Sequence, residues 1–193
     1  MGEGCMSNEP RFKPLPLDQL TQAQAKLRAA LIDSPRGTVR GPFIPLMYSP
    51  ELGDRIRHLG DYLRFEGVLP AKLKELVILA TGRHWSADYI FAVHREMSAP
   101  TGLDPAIVDA IAVGNRPSGL MPPVQAAYDF TVELLRTGRV GDPGFAAAHG
   151  HFGEQGVIEL LGLIGFYAAL ALLLNAARVA LPESGEKLPK RER

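Results

Sequence analysis

Two ionisable residues of this chain fall on surfaces that the surrounding sequence makes apolar: Glu75 and His94. On a wheel at 100° per residue, Leu73, Leu76, Val77 and Ala80 share one face of the segment LKELVILATGRHW. Ile78, Leu79 and Gly82 lie with Glu75 on the other. Both faces are apolar, so the helix is expected to be buried and Glu75 with it. Burial desolvates a carboxylate and raises its pKa unless a cation or hydrogen-bond donors hold it. An ion pair with Arg83 or Lys72 is one account of Glu75; a functional carboxyl is the other.

On the next helix Ala87, Ile90, Val93, His94 and Met97 form one stripe by the i, i+3, i+4, i+7 rule. His94 is therefore presented on an inward-facing apolar surface. A lone histidine there can be a satisfied core residue. Helices joined by so short a break pack as neighbours, however, so the acid and the imidazole can share a hydrogen-bonded site. That is the arrangement general acid–base chemistry near neutral pH requires.

The elements that must position this pair read as helices throughout, and the chain is expected to be all-α. Leu20, Ala23, Leu27, Ala30 and Leu31 repeat at helical spacing within DQLTQAQAKLRAALID. A Pro/Gly-rich loop, SPRGTVRGPFIP, follows. Ser49-Pro50-Glu51 predicts an N-cap hydroxyl and a helix to about Phe65, and Pro70 opens the helix that carries Glu75 to about Trp85. The His94 helix spans about Ala87 to Ser98. Asp104-Pro105, Pro122-Pro123 and Asp142-Pro143 open three more, and an apolar helix from about Glu154 to Ala177 closes the fold. Residues 1–16 and 183–193 read as tails around one helical domain at 17–182. LKELVILATG (73–82) echoes VIELLGLIGF (157–166), which sets Glu75 against Glu159 as in a duplicated hairpin.

Composition narrows the function. Across 193 residues, 21 Lys and Arg balance 21 Asp and Glu, so no net field draws in nucleic acid or an anionic membrane. The uninterrupted apolar run near residue 160 is shorter than a bilayer span needs, and reads instead as the core of a bundle or an oligomer interface. MGEGCMSNEPR lacks the apolar core of a signal peptide. The single cysteine, Cys5, excludes an intrachain disulfide and any CxxC motif, so a reducing, cytoplasmic location is expected. His149 and His151 with Glu154 lack the i, i+4 spacing of a zinc helix, and His58 and His84 read as exposed or structural. No nucleotide-binding or serine-hydrolase motif is present, and neither a metal nor an organic cofactor is expected.

The run LPAKLKELVILATGRHWSADYIFAVHREMSAPTGLDPAIVDAI (69–111) resembles the core of the carboxymuconolactone decarboxylase family, which includes the alkylhydroperoxidase D proteins. The similarity extends over about residues 40–182. The resemblance implies an alkylhydroperoxidase D-like helical bundle assembled as a homotrimer or homohexamer. The peroxidase branch carries a Glu, a CxxC pair and a His; Glu75 and His94 match its ends, while Ala87 and Ile90 stand at the cysteine positions. Without those thiols, peroxidatic chemistry is not expected.

The decarboxylase-like branch commonly carries Tyr-Glu-Trp-x-x-His, where this chain has Tyr89-Ile90-Phe91-Ala92-Val93-His94. Ile90 in place of the acid implies a less charged substrate or a changed reaction. The resemblance implies a cofactor-free lyase or isomerase acting by proton transfer on a small lactone or aromatic-catabolite acid. His94 would shuttle the proton and Glu75 would orient it. Arg83, Trp85, Tyr89 and Ile90 are the expected substrate contacts, with Phe43 and Tyr167 as weaker candidates. The alternative is a non-catalytic helical oligomer that keeps the scaffold. An enzyme should show a pocket holding both side chains, whereas a degenerate scaffold should fill that space with apolar groups.

Overall fold

The computed structural model describes residues 9–190, so Cys5 and the final Arg191–Arg193 lie outside the described residues. The elements run α1 (Gln22–Ile32), α2 (Phe43–Leu46), α3 (Pro50–Asp61), a π-helical turn (Tyr62–Glu66), α4 (Ala71–His84), α5 (Asp88–Ser98), α6 (Pro105–Ala112), α7 (Pro122–Thr137) and α8 (Asp142–Ala177). Among the described residues there is no strand, and the fold is all-α.

Helix starts follow local chemistry. Thr21 accepts from the Gln24 amide while the Gln24 side chain accepts from the Thr21 amide, a reciprocal capping box that opens α1. Asp104 accepts from Ala106 N at 2.9 Å ahead of Pro105 in α6. Ser49 precedes Pro50 as expected, but its hydroxyl makes no cap bond; the fixed φ of Pro50 starts α3 without it. Gly153 (φ 62°, ψ −175°) interrupts α8, so the expected break before Glu154 is present inside one nominal helix.

Helix α4 is the axis of the molecule. Every residue from Leu73 to Arg83 is buried, as its two apolar faces require, and it packs against α5, α6, α7 and α8. One face meets Ile90, Leu163 and Ile164; the other meets Phe91, Ile107 and Ile111. The apolar C-terminal part of α8 supplies Leu160, Leu163, Tyr167, Ala171 and Leu174 to this core. At about 25 cal/mol per Å² of apolar surface, such burial is the main force holding α4 in place.

Two features differ from the sequence reading. The helix expected to reach Phe65 changes winding after Asp61: Gly67 N donates to Tyr62 O at 2.8 Å, an i→i+5 bond. The segments expected as tails are fastened along their described lengths. Arg11 donates through its backbone N–H to Ala177 O and through Nη1 to Ala176 O, closing the C-terminal end of α8. Ser184 Oγ donates to Glu96 Oε1, and Leu188 N donates to Asp88 Oδ1, so residues 184–188 lie along α5.

Gly41 in the loop before α2 combines φ +59° with close approach. A Cβ there would sit 2.6–2.7 Å from the Tyr89 ring. Gly41→Ala is expected to destabilise the protein by about 1–3 kcal/mol through left-handed backbone strain and displacement of Tyr89. Chemical denaturation should register the loss, and a fall in melting temperature of roughly 3–10 °C should accompany it.

Candidate functional site

The Glu75–His94 pair forms. His94 Nδ1 lies 2.7 Å from Glu75 Oε2, with the two residues 5% and 7% exposed. The geometry follows from the helical hairpin: Ser86, at φ 50°, turns the chain between α4 and α5 and folds the second helix back along the first. Glu75 is therefore partnered by His94, rather than by Lys72 or Arg83. As a carboxylate it accepts, which puts the proton on Nδ1 and leaves Nε2 as the nitrogen through which the ring exchanges a proton. Burial pushes the His94 pKa below its ordinary value; the hydrogen bond and charge of Glu75 oppose this shift, and the nearby positive charge of Arg64 adds to it.

His94 forms part of the wall of a cavity of about 160 Å³. That volume is about what a benzene-sized molecule needs, and the cavity opens to solvent on the Arg40 side. Val93, His94 and Met97 come from α5, and Phe166, Tyr167, Leu170 and Leu174 from α8. Arg36, Arg40 and Phe43 come from the loop and α2, and Arg64 and Phe65 from the π-helical turn. Glu75 stands behind the imidazole and not in the wall, so the pocket displays one member of the pair and hides the other.

Tyr167 meets the His94 ring edge-on at a centroid distance of 5.1 Å, and burial drives its phenol far above the ordinary tyrosine range, so it stays protonated. Arg36 pairs with Asp61 at 2.6 Å. The charges facing the site are thus one acid–imidazole pair and several guanidinium groups.

Of the expected contacts, Tyr89 and Ile90 line the cavity, as do Phe43 and Tyr167. Arg83 and Trp85 lie elsewhere. Arg83 is eight residues beyond Glu75 on α4, about 12 Å along the axis at 1.5 Å per residue, and its Nη1 donates to Pro189 O at 2.9 Å. Trp85 sits at the hairpin turn, edge-on to His84 and partly exposed, while its carbonyl accepts from Asn175 Nδ2. The hairpin that brings Glu75 and His94 together also carries residues 83–85 away from them. Arg36 and Arg64 are wall residues absent from the expected contacts, and Met97 of the His94 stripe joins them.

A second buried acid, Glu159, organises the wall from behind. Its Oε1 accepts from Tyr62 OH at 2.8 Å and Gln155 Nε2 at 3.0 Å, and its Oε2 accepts from Val68 N at 2.6 Å. Desolvation pushes its pKa up, but these donors and the charge of Lys74 outweigh it and hold the carboxyl below its ordinary value. Lys74 Nζ donates to Arg64 O at 2.9 Å and Gly67 O at 3.3 Å. Among the described residues, no group of three or more His, Cys, Asp or Glu is placed to hold a metal ion.

Residues 50–133 match the sequence model of the Carboxymuconolactone decarboxylase family. Over that span, a little under half of its length, the chain is similar to that family. The match contains both Glu75 and His94. No curated protein matches the sequence. Among solved structures, the alkylhydroperoxidase AhpD core of a peroxidase-related protein from Ralstonia eutropha JMP134 superposes with a TM-score of 0.76 at 19% identity, covering 90% of this chain and 93% of that one. A peroxidase-related protein from Silicibacter sp. TM1040 gives a TM-score of 0.76 at 16% identity, with coverage of 94% and 96%. A cysteine-to-alanine variant of the debrominase Bmp8, in complex with 2,3,4-tribromopyrrole, gives 0.71 at 15% identity, with coverage of 90% and 92%.

These likenesses establish the AhpD-like fold. Ala87 is core and Ile90 is cavity wall, at the two positions that the resemblance sets against the cysteines of the peroxidase branch.

The lowered His94 pKa has a thermodynamic sign. In the unfolded chain the imidazole titrates near about 6.5, whereas folded His94 resists protonation until lower pH. Between those values the unfolded state binds more protons, so stability falls as pH drops below about 6.5, by at most about 1.4 kcal/mol per pH unit. Denaturant unfolding from pH 7.5 to 5 should show this loss in the wild type, and a smaller slope in His94→Gln.

Proposed function

We propose that the protein is a cofactor-free lyase or isomerase that moves a proton on a small lactone or aromatic-catabolite acid. The observation that carries this reading is the dry His94–Glu75 hydrogen bond at the wall of a cavity able to take a single ring. Neutral His94 takes a proton from substrate carbon at Nε2, and the imidazolium so formed returns that proton to another carbon of the same substrate. Glu75 keeps the imidazole in the Nδ1–H tautomer and stabilises the imidazolium that forms. The guanidinium groups in the wall favour an anionic substrate and the negative charge that develops on it.

A peroxidase reading has no thiol pair to work with. The full sequence contains one cysteine, so peroxide reduction through an intrachain disulfide is chemically closed. The alternative of a degenerate scaffold is disfavoured by the cavity itself, because the space beside His94 is open rather than filled by larger apolar groups. Exposed Tyr62, Val68 and Ile158 surround the Glu159 network and offer an apolar face for self-association, which the family resemblance extends to a trimer or hexamer.

The test is a turnover screen with lactone acids and aromatic ring-cleavage products. His94→Ala is expected to lower kcat by about 10²–10⁴-fold with the helical circular dichroism unchanged. Glu75→Gln, which keeps the shape but loses the charge that stabilises imidazolium, should also lower kcat by orders of magnitude. Wild-type rates in both variants would remove the site. Light scattering should report an oligomer, and Ile158→Asp should dissociate it.

A further inference from the structure

The cavity walls carry unequal charge, and the surplus is traceable to particular residues. Arg36 is committed to Asp61, which also accepts from Arg57 Nη1 at 3.1 Å. Arg40 stands exposed at the rim, where solvent and salt screen it. Arg64 differs from both. It is half-buried, its Cζ stacks 5.0 Å from the Phe65 ring centroid, and its Nη2 donates to the thioether sulfur of Met97 at 3.5 Å, an acceptor far weaker than a carboxylate. Among the described residues it forms no ion pair.

The backbone beneath Arg64 is held unusually well for a turn. Its carbonyl accepts from Lys74 Nζ, the turn closes through the Gly67–Tyr62 bond, and Glu159 fastens Tyr62 and Val68 on either side. A planar fork of donors on a braced backbone thus stands in the same wall as His94, without a strong acceptor of its own. The rest of that wall, with Ile90, Val93, Leu170 and Leu174, suits an apolar ring.

We propose that Arg64 is the specificity-determining anchor of this cavity and binds the carboxylate, or an equivalent planar oxyanion, of a ring-sized ligand whose apolar body lies against α5 and α8. The assignment rests on the proton-transfer reading of His94 and Glu75 and adds to it the feature that selects and orients the substrate. A guanidinium pairs with a carboxylate through two parallel hydrogen bonds, which fixes direction as well as affinity. Anchoring one end of a small acid in this way limits which of its carbons can lie beside His94.

Isothermal titration of the full chain with benzoate and with its neutral isostere benzamide tests the anchor without knowledge of the natural substrate. The wild type is expected to bind benzoate on the order of tenfold or more tightly than benzamide. Arg64→Gln should erase that preference. Arg64→Lys, which keeps a charge but loses the planar fork, should retain only part of it and guards against a folding defect in the Gln variant. Equal affinity for the two probes in the wild type, no binding of benzoate, or an undiminished preference in either variant overturns the proposal. The two readings separate in the same set of proteins: an Arg64-dependent preference without turnover of any lactone or ring-cleavage acid leaves the anchor standing and removes the reaction. Turnover without the preference removes the anchor alone.

Discussion

The structure depends on tolerating a carboxyl group in the middle of its most buried helix. Helix α4 is enclosed from Leu73 to Arg83, and an unpartnered acid there would carry a desolvation cost of several kcal/mol. The imidazole of His94 meets that need at 2.7 Å, so one contact stabilises the core and sets the tautomer of the ring that faces the cavity. Removing either partner leaves the other buried without its hydrogen bond.

Glu75 and Glu159 occupy matching places in the two similar apolar segments, but their surroundings have diverged. Glu75 meets one imidazole, whose burial disfavours the protonated form while the carboxyl group opposes that shift. Glu159 is saturated by a phenol, a primary amide and a backbone N–H, with Lys74 close by. The first acid tunes a group that can carry protons, whereas the second secures the turn from which Arg64 and Phe65 project. One sequence pattern thus supplies an acid paired with an imidazole and an acid that braces a turn.

The parts of this arrangement that obey simple periodicity were legible in the sequence. The two-faced apolar character of α4 implied its burial, and the stripe Ile90, Val93, His94, Met97 on α5 became cavity wall. Arg83 and Trp85 were drawn toward the site only by proximity in sequence, which a helical hairpin reverses. Arg64 was hidden for another reason. Its direction depends on an i→i+5 turn whose flanks are fastened by the carboxylate of Glu159, more than ninety residues away. No local pattern encodes such a switch from α to π winding. The fastening of residues 184–188 escaped notice likewise, because Pro- and charge-rich composition resembles a free end until a groove is available to receive it.

The cavity draws its walls from Arg36 near one end of the chain and from Leu174 near the other. During synthesis the acid–imidazole hairpin can emerge and pair long before the ribosome has released the helix that closes the chamber over it. Enclosure is therefore a late event of biogenesis, and a shortened translation product that still contains both ionisable residues would leave the imidazole wet.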